Sequence, residues 1–118
     1  MSESYEIYRK GRLAIRGGRI EEAVGFFRTS SAKDPHFKTF ELLGECLMKL
    51  GRHAEAVGPL ASAVTLNQGV RGVSLLAEAF HAIGRITEAR DFAKLALSRD
   101  SKNKKAVEIL AKIEGKKK

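Results

Sequence analysis

Three histidines, one cysteine and fourteen carboxylates are the groups in this chain that could carry acid–base, nucleophilic or metal chemistry. Joint chemistry needs them at set spacings. His36 follows Pro35, His53 sits inside the phrase GRHAEA, and His81 stands near the end of a predicted helix, which are three different structural positions. An HExxH run would put two imidazoles and a carboxylate on one helical face, and a CxxC run would pair two thiolates; the sequence spells neither. Cys46 has no histidine beside it and reads as a small helical packing residue. Gly17 and Gly18 read as a helix stop, without the glycine-rich pattern that cradles a phosphate. Glu21 and Glu22 fall in the first turn of a predicted helix, where the dipole favours carboxylates. The residues predict no catalysis, no metal and no cofactor.

A repeat positions all of them. GRIEEA at 18–23 returns as GRHAEA at 51–56 and as GRITEA at 84–89, 33 residues apart each time. Ahead of each phrase lies an amphipathic segment one helix long. Phe37, Phe40, Leu43, Gly44, Leu47 and Leu50 recur at the helical interval, as do Val70, Val73, Leu76, Ala77 and Phe80. The first copy has Ile7, Gly11 and Ala14, with Tyr8 and Ile15 beside them. Each helix is predicted to end at the phrase's glycine, Gly18, Gly51 or Gly84. A second helix follows, with its inner face starting at Ala23, Ala56 or Ala89. That face continues with Phe27 and Ser30, Leu60 and Ala63, or Ala93 and Ala96. Asp34, Asn67 and Asp100 are predicted N-caps of the next helix, and Pro59 is expected to kink the helix that holds it.

A helical hairpin cannot bury its apolar face alone, but stacked copies can. The pattern predicts one all-α domain: repeats over about 4–36, 37–69 and 70–101, a capping helix over about 102–114 and a basic tail at 115–118. The predicted cap shows Ala106, Ile109, Leu110 and Ile113. One cysteine forms no intramolecular disulfide, which suits a reducing compartment and predicts a cytoplasmic protein. The start MSESYEIYRK does not read as a signal peptide, and no apolar stretch reaches the roughly 18 residues of a membrane span. The net charge of +8 is uneven: Arg99–Lys118 sets eight cations against three acids, leaving the first 98 residues at only +3.

At these positions the chain resembles the tetratricopeptide repeat family. Gly11 and Gly44 match the family's glycine inside the first helix, with Ala77 in its place in the third copy. Gly18, Gly51 and Gly84 match the turn, and Ala23, Ala56 and Ala89 the first alanine. Phe27 and Leu60 fit the next position, where Ala93 departs; Ala63 and Ala96 fit the second alanine, where Ser30 departs; Pro35 matches the proline. The 33-residue spacing is one short of the family's usual 34 and predicts a trimmed turn between repeats. The resemblance implies a right-handed α-α superhelix whose first helices line a concave groove.

It also implies which residues face that groove: Tyr5, Tyr8, Arg12, Ile15 and Arg16, then Lys38, Glu41, Glu45, Met48 and Lys49, then Arg71, Ser74, Glu78 and His81, with Lys104 and Val107 from the cap. The expected function is a non-catalytic protein–protein interaction module, a scaffold, adaptor or chaperone-like protein holding a partner's peptide or helix. One subset of the family grips the C-terminal carboxylates of chaperones with Lys, Asn and Arg. Here Tyr8, Arg12, Glu45, Ser74 and Glu78 stand at those positions, so charge argues against that grip. Glu41, Glu45 and Glu78 suggest a basic or mixed-charge ligand instead. Three-repeat secretion chaperones are similar in size but generally acidic. Two alternatives stand beside this reading. One is RNA or ribosome association through the basic C-terminal end. The other is self-association through the first helix, making a weak homo-oligomer rather than a monomer.

Overall fold

The computed structural model describes residues 2–115, so residues 116–118 of the predicted basic tail lie outside the described residues. Among the described residues there are seven helices and no strand: α1 (Glu3–Arg16), α2 (Ile20–Lys33), α3 (Phe37–Lys49), α4 (His53–Leu66), α5 (Val70–Ala82), α6 (Ile86–Arg99) and α7 (Lys104–Gly115). They pair as hairpins α1–α2, α3–α4 and α5–α6. Each second helix packs on the next first helix, and α3 touches α5 as α5 touches α7. The result is an elongated solenoid of 52 × 24 × 21 Å, with first helices along one side. No described helix is long and apolar enough to cross a membrane.

The repeated phrase builds one corner three times. Gly18, Gly51 and Gly84 have φ of 76°, 77° and 83°, a region where an L side chain crowds the following carbonyl. Their N–H groups bond to Ile15, Met48 and His81 carbonyls at 3.0, 3.0 and 3.1 Å. The next N–H groups, of Arg19, Arg52 and Arg85, reach Ala14, Leu47 and Phe80 at 2.8, 2.9 and 2.9 Å. This double closure is a Schellman motif. Gly51→Ala is therefore expected to lower stability by about 1–2 kcal/mol. Gly25→Ala, in a helix with open space around the new methyl, should instead be neutral or stabilising. Urea unfolding of both variants checks the contrast.

The arginine and glutamate of the phrase also pair at each corner: Arg19–Glu22 at 3.7 Å, Arg52–Glu55 at 2.8 Å, and Arg85–Glu88. Arg52 further reaches Glu21 at 2.9 Å and Arg28 reaches Glu55 at 3.2 Å, linking the first two repeats. Ala54 occupies the place of Glu21 in the second repeat, so no such link is offered to Arg85. Hydrogen bonds from Arg52 lead in holding the Glu55 carboxyl down to about 2. Its folded value lies below its unfolded one, so its contribution is present above the ordinary carboxylate range and fades as pH falls toward about 2. The carboxylates stand open to solvent and Arg52 is partly so, and water screening keeps the contribution of each pair small.

Between the helices of each hairpin, side-chain sizes are matched. A Cβ on Gly11 would stand 2.6 Å from the Phe27 ring, and one on Gly44 would stand 2.4 Å from Leu60 Cγ. Phe27 and Leu60 are fully buried. The third repeat departs at both equivalent positions, with Ala77 for glycine and Ala93 for the bulky residue, and both are fully buried. The two departures offset one another, and Phe80 stacks on Phe92 beside them at 5.7 Å.

The helix caps differ from the sequence expectation. Asp34, Asn67 and Asp100 are the C-caps of α2, α4 and α6, in extended backbone. The chain needs two or three more residues to turn, so the N-caps fall later. The His36 Nδ1 accepts from the Lys38 N–H at 3.2 Å, Gly69 precedes α5, and Asn103 Oδ1 accepts from the Ala106 N–H at 2.9 Å. The turns are short, at 34–36 and 67–69, but the last runs over 100–103. First helices therefore start 33 residues apart at Phe37 and Val70, whereas α7 starts 34 after α5. Pro59 sits inside α4, which runs unbroken from His53 to Leu66. Its ring removes one backbone donor in the second turn of the helix.

The same register explains the ends. Glu6, Arg9, Lys10 and Leu13 of α1 correspond to Thr39, Leu42, Leu43 and Cys46 in α3 and to Gly72, Leu75, Leu76 and Ala79 in α5. The internal copies are covered by the preceding second helix and are buried, apart from half-buried Leu42. In α1 three of the four are charged, so this flank faces water at little cost, with exposed Leu13 as its apolar point. At the other end Ala106 and Ile109 are buried, while Leu110 and Ile113 are half-buried.

Candidate functional site

The first-helix side carries a row of concavities. At one end, a cavity of about 260 Å³ is bordered by Tyr5, Tyr8, Ser4 and Ser30, and by His36, Lys38 and Thr39 at the start of α3. Its floor is a hydroxyl pair: Ser4 Oγ and Ser30 Oγ lie 3.1 Å apart, and each hydroxyl donates to the other residue's carbonyl. Tyr5 and Tyr8 also border a second cavity, of about 240 Å³, with Arg9, Arg12, Leu13 and Arg16. The two rings stack at 6.1 Å, Tyr8 leans on Phe27 at 5.9 Å, and the Arg12 guanidinium lies 6.0 Å from the Tyr8 ring. Helical spacing puts Tyr5, Tyr8 and Arg12 on one face, and α2 props that face from behind through Phe27.

Further along, α3, α5 and α7 enclose about 290 Å³ between Glu45, Met48, Lys49, His53, Leu75, Glu78 and Lys105. Met48 and Leu75 give it an apolar floor. The Met48 sulfur lies 3.3 Å from His53 Nδ1, fixing both side chains at its edge. Another apolar notch, of Pro35, Phe40, Ala61, Thr65 and Leu66, opens between α3 and α4.

The structure sorts the residues that the sequence assigned to the groove. Tyr5, Tyr8, Arg12 and Arg16 come together on α1; Glu45, Met48, Lys49 and Glu78 share the middle cavity. Lys38 joins the tyrosines across the α1–α3 joint. His81 is half-buried at the end of α5 and lines none of these cavities. Glu41 is not an open groove residue: it is 4% exposed and lies beneath Arg71, 3.8 Å away. Ser74 is buried too. The absent Cβ of Gly72 leaves room for the Glu41 carboxylate, which would meet it at 3.1 Å. Burial pushes the Glu41 carboxyl above its ordinary value, with Arg71 and Lys38 pulling the other way.

A raised folded value means the native state holds this proton more tightly than the unfolded chain does. Stability therefore falls as pH rises from about 4 towards neutrality through this group. Glu41→Gln should flatten that part of the profile. Thermal melts of both proteins across the range check it: equal slopes would be the contrary result.

The acids that suggested a basic ligand are already occupied. Arg71 bonds to Glu45 and lies 3.8 Å from the Glu41 carboxylate, and Lys105 reaches Glu78 at 3.0 Å. Lys105, not Lys104, makes that contact, because the longer last turn moves the register by one residue. Sequence periodicity at 33 residues carried no sign of that shift, nor of Leu75 and His53 entering the middle cavity. Cys46 is buried, and burial raises its thiol above the ordinary value, as suits a packing residue. No cluster of potential metal ligands occurs among the described residues.

Among the described residues, six helices in three corner-linked hairpins and a seventh packed on the last of them, with a groove along the first helices, define a helical-repeat protein. A tetratricopeptide repeat family model matches residues 8–71, more than half of the chain, and the chain belongs to that family. No curated protein sequence matches it. Among solved structures it is similar to the first TPR of Spaghetti (RPAP3) bound to the HSP90 peptide SRMEEVD, at 22% identity and TM-score 0.89, covering 97% of this chain and 92% of that one. It is also similar to the Yersinia enterocolitica type III secretion chaperone SycD in complex with a peptide of the translocator YopD, at 20% identity and TM-score 0.86, covering 100% and 98%. A third likeness is MamA 41-end from Desulfovibrio magneticus RS-1, at 20% identity and TM-score 0.89, covering 98% of this chain and 66% of that one. At such identities the likeness is one of fold.

Proposed function

We propose that this chain is a non-catalytic protein-interaction module that holds a peptide or helix of a partner protein along its first helices. The observation that carries the reading is the row of cavities on that side. Exposed Tyr5 and the Tyr8–Arg12 pair stand at one end, and the Met48–Leu75 floor lies further on. Tyrosine and arginine are the residues that most often carry interface energy, and an apolar-floored cavity accepts a side chain. Two solved relatives of the same fold were captured with peptides of other proteins, which agrees with this use. A scaffold or adaptor acting in the cytoplasm, as the lone buried cysteine suggests, fits the arrangement.

Tyr8→Ala combined with Arg12→Ala tests it. Protein partners retained by the immobilised wild type from the native lysate should be lost by the double variant, while its circular dichroism spectrum keeps the helical signature. Retention of the same partners by the double variant would overturn the reading. Sequencing the nucleic acid retained at low salt tells protein capture from RNA capture.

A further inference from the structure

The joints between successive first helices follow a rule that one joint breaks. Position Glu45 of α3 is bonded by Arg71 of α5, and the equivalent Glu78 of α5 is bonded by Lys105 of α7. Arg71 and Lys105 occupy the same register position once the 34-residue last step is counted. The corresponding pair at the first joint is Arg12 of α1 and Lys38 of α3. Two joints thus set a carboxylate against a cation, and the first sets a cation against a cation. Among the described residues neither Arg12 nor Lys38 has a carboxylate within 4 Å. Cavities border both residues, and Tyr5 and Tyr8 form the wall common to the two.

We propose that the carboxylate missing from this joint is supplied by the partner: an acidic peptide segment lies across α1 and α3, with an Asp or Glu side chain between Arg12 and Lys38. The inference rests on the groove reading and names its ligand chemistry. Arg16 extends the positive field along α1, and the two acids of that helix are already paired, Glu6 with Arg9 at 3.6 Å and Glu3 with Lys33 at 3.2 Å. The acids of the middle cavity do not oppose an acidic ligand strongly, because Arg71 and Lys105 neutralise them. The tyrosine wall offers apolar area to a neighbouring side chain of the same segment, so the preferred peptide places a large apolar residue next to its acid. Asp34 borders the far side of the first cavity and sets the limit of the acidic stretch in that direction.

The test uses charge repair. Arg12→Glu restores the acid–cation pattern within the chain, facing Lys38. It should leave the melting temperature unchanged or higher while weakening a fluorescein-labelled glutamate-rich peptide carrying one tryptophan by about tenfold or more. The double variant Arg12→Glu, Lys38→Glu makes an acid–acid joint and should reverse the preference, binding a lysine-rich peptide of the same length better than the glutamate-rich one. Lys94→Glu with Lys112→Glu changes the net charge equally on exposed parts of α6 and α7 and should leave the preference within about twofold. Anisotropy titrations at moderate salt read all four proteins, and a single-stranded RNA of similar length is titrated beside the peptides. The proposal is overturned if the wild type shows no preference for the acidic peptide, or if the control pair shifts it as much as the joint variants. It is also overturned if RNA binds more tightly and loses affinity with the same substitutions. Loss of the natural partner in the Tyr8, Arg12 double variant without any acid preference would leave the groove reading standing and remove this one.

Discussion

Phe27→Ala is expected to destabilise the protein by about 3–5 kcal/mol, the largest effect of any single change considered for this chain. Phe27 is fully buried, and its ring fills the space that Gly11 leaves by lacking a side chain. It also supports Tyr8 from behind at 5.9 Å. Truncation removes the transfer energy of the ring and leaves a cavity walled by two helices that the Gly18 corner holds in place. Against a total stability of about 5–15 kcal/mol for a domain, that is a large share. Urea unfolding followed by circular dichroism measures it. A loss below about 1 kcal/mol would mean that α1 and α2 close the gap, and that the glycine–phenylalanine match matters little. Because the ring props the Tyr8 wall, ligand affinity should fall even where the variant remains folded.

Ala93→Leu should cost about 1–3 kcal/mol, and Ala77→Gly on the same chain should recover most of that loss. The third hairpin then regains the glycine–leucine pair of the second, where a methyl on Gly44 would lie 2.4 Å from Leu60 Cγ. Ala77→Gly alone should also destabilise, through backbone entropy and a small void, by about 1 kcal/mol. The sign of the coupling is the informative quantity: the two changes together must be less harmful than their sum. Additive costs would show that the third hairpin accommodates size elsewhere, for instance by shifting the Phe80–Phe92 stack.

Much of the architecture was legible because it is periodic. One phrase repeated at constant spacing marks three glycine corners, and a helical hairpin with an apolar face has few ways to bury it other than stacking. Gly18, Gly51 and Gly84 could be assigned to corners from the sequence, since left-handed backbone excludes most other residues there. The substitutions Ala77 and Ala93 were each visible as departures. That they answer one another depends on which faces of α5 and α6 meet.

The caps went the other way. Asp34, Asn67 and Asp100 are good N-cap residues by type, yet they end α2, α4 and α6, because a cap is defined by the turn geometry around it and not by the side chain alone. The groove's chemistry was the least legible part. Glu41 looked like a ligand-facing acid by position, but it is buried under Arg71. Glu45 and Glu78 looked like free acids until Arg71 and Lys105 were found beside them. Sequence alone thus determined the repeat, the corners and the helix faces, since all of these follow from spacing along one chain. Only the tertiary structure decided which charges on that side cancel. Cancellation depends on pairs about 26 or 27 positions apart, brought within reach by stacking and by one extra residue in the last turn.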